Sequence, residues 1–126
     1  MRILMCEPTH YDVTYQINPW MTRQNAVNSP LAKQQWCALR QCIEDCGAQV
    51  VLMPPQPQLP DMVFTANAAL VLRNRAYLAQ FTHPERQPER DYFQDALQQQ
   101  GISLIDSTTA PAHNTAPSIA DPLPRL

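Results

Sequence analysis

Nowhere in the 126 residues does an apolar run approach the roughly 20 residues that a bilayer crossing needs. The start, Met1 to Glu7, meets an acid too early to form the apolar centre of a signal peptide, so a cytoplasmic location is the expectation. Charge of one sign is also lacking: 9 basic and 11 acidic residues are scattered along the chain, for a net −2. That leaves no electrostatic footprint for nucleic acid or an anionic membrane, and a small molecule or a protein is the favoured partner. Cysteine is scarce and poorly placed for pairing. Cys37, Cys42 and Cys46 fall inside one expected helix, where a disulfide would be strained, so these and Cys6 read as reduced thiols. Cys42 and Cys46 have the i, i+4 spacing of a half metal site, but no second pair accompanies them, and packing explains them better. The length suits one domain, which if folded alone would bury about 65 to 70% of its unfolded surface.

What is present reads as alternating α and β. Arg2 to Cys6 is a short apolar run expected as a buried strand. An irregular stretch follows to Asn28, with Asn18-Pro19 forming a turn and Trp20 expected to pack down as an anchor. Ser29 before Pro30 predicts a helix start with the serine as cap. Trp36, Leu39, Ile43 and Cys46 then recur on one helical face, and Gly47 supplies a left-handed end before a buried strand over Gln49 to Met53. Beyond the proline-rich connector from Pro54 to Pro60, a hairpin is expected over Ala69 to Leu72 and Ala76 to Gln80. A second helix is predicted over Arg86 to Gln100 with Tyr92, Phe93, Ala96 and Leu97 inward, then Gly101 and a strand over Ile102 to Ile105. Gly47 and Gly101 stand 54 positions apart, each between a helix and an apolar strand. Such a period fits stacked βα modules, although an ordinary two-layer α/β domain could show it too. From Ser107 the chain turns to Ala, Pro, Thr and Ser without periodicity, and 107–126 is expected to be a disordered tail after a domain over 1–106.

The sharpest local signal is Leu59 to Asn67. Asp61 can accept a planar guanidinium with both oxygens, Phe64 offers a ring face, and Asn67 adds an orienting amide. The competing reading makes Asp61 a turn cap and Phe64 a core residue.

Three segments in order, Asn18 to Met21, Leu59 to Ala68, and Phe81 to Glu89, resemble successive motifs of the guanidino-modifying superfamily. Its members include arginine deiminases, dimethylarginine dimethylaminohydrolases and amidinotransferases. The resemblance implies a pentein-like α/β propeller of ββαβ modules, of which about two would fit between residues 1 and 106. It further implies a cysteine thiolate that attacks the guanidinium carbon, a histidine that moves protons, and acids that hold the guanidinium nitrogens, with no metal or organic cofactor. On this match Asp61 corresponds to the guanidinium-holding aspartate and Phe64 to the aromatic beside it. Arg86 corresponds to an arginine that grips a substrate carboxylate, with Glu89 orienting or neutralising it. Ala66 and Asn67 stand where dimethylarginine hydrolases have an acidic pair, which points toward the amidinotransferase-like branch.

Members of that superfamily are more than twice this length, with the catalytic histidine and a second acid in the middle and the cysteine near the end. No such positions exist here, and after Asp106 the expected glycine-rich loop is replaced by the Ala/Pro/Thr tail, as a truncated or frameshifted reading frame would leave it. None of the four cysteines has a histidine near it in sequence, and catalysis by them is not expected. His83 suits either a substrate contact or a solvated turn. The sequence therefore reads as the substrate-gripping first part of an enzyme on arginine-like compounds, inactive alone. The alternative is a binding or assembly module whose uncovered surfaces pair with another copy or a complementing chain.

Overall fold

The computed structural model describes residues 1–105 apart from Arg23 and Asn25; Asp106 and the expected tail over 107–126 lie outside the described residues. Strand β1 (Arg2–Cys6) pairs in parallel with β2 (Gln49–Met53), Arg2 opposite Gln49 and Cys6 opposite Met53. Parallel neighbours need a long crossover, and helix α1 (Ser29–Asp45) supplies it. Its cap is Asn28 rather than Ser29: the Asn28 Oδ1 accepts the Leu31 N–H at 3.0 Å, and Ser29 is already helical. The shift by one residue is inexpensive because asparagine caps as well as serine and Pro30 still falls where its missing N–H has no partner to lose.

The second unit is β3 (Ala69–Leu72), β4 (Arg75–Leu78), α2 (Glu89–Gln99) and β5 (Ser103–Leu104). β3 and β4 form the expected antiparallel hairpin, and β5 lies parallel to β4 on its other side. The hairpin turn is tied to the α2–β5 turn by Asn74, whose Nδ2 donates to the Gly101 carbonyl while its own carbonyl accepts from Ser103, both at 2.9 Å. Both helices end alike. Gly47 and Gly101 take φ of +80° and +74°, each glycine N–H donates three residues back, and the next N–H reaches five back, from Ala48 to Ile43 and from Ile102 to Leu97. The repeat is thus physical: one complete ββαβ module, and three of its four elements in β1, α1 and β2.

The core lies between the units, where Cys6 and Met53 from the first sheet meet Ala76, Leu78, Phe93 and Leu97 from the second, with Met62 inserted between them. Several expected inward residues are not there. Trp20 is 83% exposed, and on α1 only Trp36 is buried while Leu39 and Cys46 face outward. The cause is the narrow bed beneath α1: two strands about 5 Å apart cannot cover the full width of an apolar helical face. β2 is likewise only partly buried, with Leu52 exposed and Met53 enclosed. Helix α2 starts at Glu89, three residues later than expected, because Pro88 disfavours helical geometry at Gln87 and leaves Arg86 in a turn. Its buried face is Glu89, Phe93 and Leu97, and Tyr92 points outward.

Replacing Phe93 by alanine should therefore cost about 3 to 5 kcal/mol, whereas Leu39→Ala should stay within about 0.5 kcal/mol. Urea midpoints of the two variants, compared at unchanged slope, check both halves of this statement.

Candidate functional site

Asp61 is set by the chain around it. Leu59 and Pro60 lead into a tight turn over Pro60–Val63, where Met62 plugs the core and Asp61 is buried on the opposite side. A second tight turn over Thr65–Asn67 follows, held to β1 by the Thr65 Oγ1, which donates to the Leu4 carbonyl at 3.0 Å. Turns of this type advance about three residues per revolution, so residues three apart fall on one side. Asp61, Phe64 and Asn67 do so, and together with Arg86 they line one open cavity of about 280 Å³.

The opposite wall comes from the irregular stretch, through Tyr11, Asp12, Ile17, Asn18 and Met21. Tyr11 meets the Phe64 ring edge-on, with centroids 5.7 Å apart at 89°. Asn18 shapes this wall: its Oδ1 accepts from the backbone N–H groups of Trp20 and Met21 at 3.1 and 3.0 Å. That turn brings Met21 to the cavity and directs Trp20 into solvent, which explains the failed anchor.

Beneath the cavity sit three buried charges. Arg86 Nε donates to Glu89 Oε1 at 3.0 Å and Nη2 to Glu89 Oε2 at 2.8 Å, a two-pronged pair; Nη2 also reaches the Asp61 carbonyl at 3.3 Å. The Asp61 carboxylate is 3.8 Å from Nε, and the Phe81 ring lies 4.5 Å from the guanidinium carbon. Burial opposes the charge on Arg86, but its hydrogen bond to Glu89 and the charges of Glu89 and Asp61 raise its pKa further. Burial likewise raises the Glu89 carboxyl above its ordinary range, with Arg86 pulling the other way. With both acids ionised the cluster carries one negative charge in excess, at the floor of a cavity with aromatic sides.

The fork of Arg86, expected to meet a ligand carboxylate, is filled by Glu89, the residue expected to neutralise it. Its Nη1 has no hydrogen-bond partner among the described residues. His83 is exposed and does not line the cavity. Cys6 is enclosed in the core, where burial, then Glu7 and Glu89, push its thiol up to about 11; Cys37, Cys42 and Cys46 are exposed on or beside α1. Sequence reasoning missed Tyr11, Asp12 and Tyr15 on the irregular stretch and gave Phe81 no role. The Tyr15 hydroxyl is shut from solvent and makes no hydrogen bond among the described residues. Burial first, then neighbouring Asp61, raises its pKa well above the ordinary phenol value. The one available signal was the density of tyrosines before Asn18-Pro19.

Comparison with known proteins finds relatives over most of the chain. Over 107 residues the chain is 46% identical to the bifunctional arginine dihydrolase/ornithine cyclodeaminase ArgZ of Synechocystis, covering 84% of this chain and 15% of that protein. Over 88 residues it is 40% identical to the N(G),N(G)-dimethylarginine dimethylaminohydrolase of Mycobacterium tuberculosis, covering 70% of this chain and 29% of that one. The crystal structure of the product-bound N-terminal domain of ArgZ superposes with a TM-score of 0.76 at 46% identity, covering 82% of this chain and 38% of that one. A dimethylarginine dimethylaminohydrolase adduct, at 17% identity and a TM-score of 0.64, shares the fold. The fold and the matches define an α/β protein of the guanidino-modifying propellers, spanning only the N-terminal part of its relatives. A family model described as N,N dimethylarginine dimethylhydrolase, eukaryotic, matches residues 4–116, and the chain belongs to that family. These relatives bear hydrolase names, so the leaning toward amidinotransferases drawn from Ala66 and Asn67 gains no support from them.

Removing one member of the buried pair should be costly, because Arg86 would keep its charge without its two-pronged partner. Glu89→Gln is expected to destabilise the chain by about 3 to 5 kcal/mol in denaturant titration. In native chain at pH 8, a thiol reagent should modify Cys37, Cys42 and Cys46 and spare Cys6 until the protein is unfolded, as mass spectrometry of the labelled peptides would show.

Proposed function

We propose that this chain forms the substrate-gripping part of an enzyme that acts on arginine-type guanidino compounds. The observation that carries this reading is the buried Asp61, held beside Arg86 at the floor of a cavity with Phe64 and Tyr11 at its sides. A planar cation suits such a place. The two carboxylates and one guanidinium leave a negative charge to be balanced, the Asp61 oxygens match the spacing of guanidinium nitrogens, and the aromatic faces favour a cation over a neutral ligand. Asn67 adds an amide to orient the ligand, while Arg86 holds Asp61 in place and has Nη1 left to offer a ligand acceptor.

Two relatives support the choice of ligand: a variant of AgrE was crystallised in binary complex with L-arginine, and the ArgZ domain with its product. In such enzymes a nucleophilic thiolate and a proton-moving histidine complete the reaction. Here Cys6 lies in the core with its proton held tightly, and His83 is outside the cavity, so the chain by itself binds without turning over.

A second reading concerns assembly. Leu70 and Leu72 on one face of β3 are 75% and 72% exposed, and on the other face Ala69 and Val71 line an apolar hollow of about 230 Å³ with Leu4, Ala68, Phe93 and Leu97. A complementing chain or another copy that docked on either face of this strand would bury apolar surface left open here.

L-arginine titrated into the full chain by calorimetry should bind with a millimolar or tighter Kd, and Asp61→Asn should weaken it at least about tenfold, a loss of about 1.4 kcal/mol. Citrulline and amine release should be undetectable; turnover that survives replacement of all four cysteines would contradict the mechanism. Light scattering reads the second proposal, for which a monomer at high concentration is the opposing result.

A further inference from the structure

We propose that Tyr15 is a positioning residue for the cavity, its hydroxyl serving as hydrogen-bond donor to the Asp61 carboxylate and so coupling the wall over 11–21 to the carboxylate at the floor. This deepens the reading in which Asp61 holds a guanidinium, and rests on it for its functional meaning. A buried hydroxyl without a partner costs about 1 to 3 kcal/mol, so such a group in a folded chain requires an explanation. The Tyr15 hydroxyl is in that condition among the described residues. The charged groups around it are Asp61, Glu89 and Arg86, and of these Asp61 acts on it most strongly. Arg86 can only donate, so it offers the hydroxyl proton no acceptor. The Glu89 oxygens each already accept from Arg86. The Asp61 carboxylate is the acceptor with room to spare: its nearest cation is at 3.8 Å, beyond hydrogen-bonding distance.

Tyr15 also sits in the right part of the chain. It lies between Tyr11 to Val13 on one side and Ile17, Asn18 and Met21 on the other, all of which line the cavity. A ligand that bridges wall and floor, with its guanidinium on Asp61 and its stem against Met21 and Tyr11, would hold the hydroxyl and the carboxylate together. The phenol retains its proton throughout the neutral range because its pKa is raised, so the donor is always available. The hydroxyl would occupy one lone pair of one carboxylate oxygen and fix the plane of the group, leaving a lone pair on each oxygen for the two-pronged ligand.

Tyr15→Phe removes the oxygen and keeps the ring, which allows the role to be read in the ligand-free chain. Loss of a donor to the charged form raises a carboxyl pKa, whereas loosening of the wall would admit water and lower it. The Asp61 carboxyl, followed by carbon NMR over a pH titration, should therefore titrate higher in Y15F than in the parent by at least about half a unit. L-arginine binding should weaken at least about threefold. An unchanged or lowered Asp61 midpoint in Y15F overturns the proposal. If the parent chain fails to bind L-arginine while the Asp61 midpoint still rises in Y15F, the positioning role stands and the arginine reading is what falls.

Discussion

A guanidinium locked between two acids, all three side chains buried, is the constraint on which the site depends. Arg86, Asp61 and Glu89 are 8%, 5% and 0% exposed, and none could remain charged there without the others. Their arrangement follows from sequence distance as much as from chemistry. Glu89 opens α2 and Arg86 lies one turn before it, so Pro88 fixes both the start of the helix and the geometry of the pair. Asp61 arrives from the other side on a turn anchored by Met62. The ion cluster therefore joins the tight turns after the connector to the helix of the second module, and any ligand at Asp61 is sensed by both.

On the proposed reading, the excess of one negative charge that two ionised acids leave decides what such a place can hold. An anion would add to a charge the cluster already has, and a neutral ligand would leave it unbalanced. A cation of planar shape restores the balance and can use both Asp61 oxygens, and the edge-to-face pair of Tyr11 and Phe64 narrows the opening to something flat. This is a specificity argument rather than an affinity one, since buried charge pairs often offset little more than their own desolvation.

Much of this was legible before any coordinates, and the residues show why. Glycines 47 and 101 marked the helix ends because only a left-handed residue closes a helix in that way, and the strand periods of β1, β3 and β4 survived nearly intact. Asp61, Phe64 and Asn67 were recognisable from their side-chain chemistry within a motif, and the structure brings them with Arg86 to one cavity. The failures were failures of context. Leu39 and Cys46 have helical apolar spacing, but spacing does not say how wide a surface awaits the helix, and the two-stranded sheet under α1 is too narrow; Tyr92 on α2 also faces outward. Trp20 was misplaced because its hydrophobicity suggested burial while the Asn18 turn, a matter of two backbone N–H groups, directed it outward. The cavity wall over 11–21 has no period at all, so Tyr11 and Tyr15 carried no signal beyond their composition.

Charge at the ligand is the variable that isolates the central claim. Citrulline has nearly the shape of arginine but a neutral urea in place of the guanidinium, so parallel titrations of the two into the unmodified chain compare one charge against none. At least about tenfold tighter binding of arginine at low salt, narrowing as salt is raised, is the predicted result. Equal affinity for the two would contradict the account, because the acid excess beneath the cavity would then have no part in recognition.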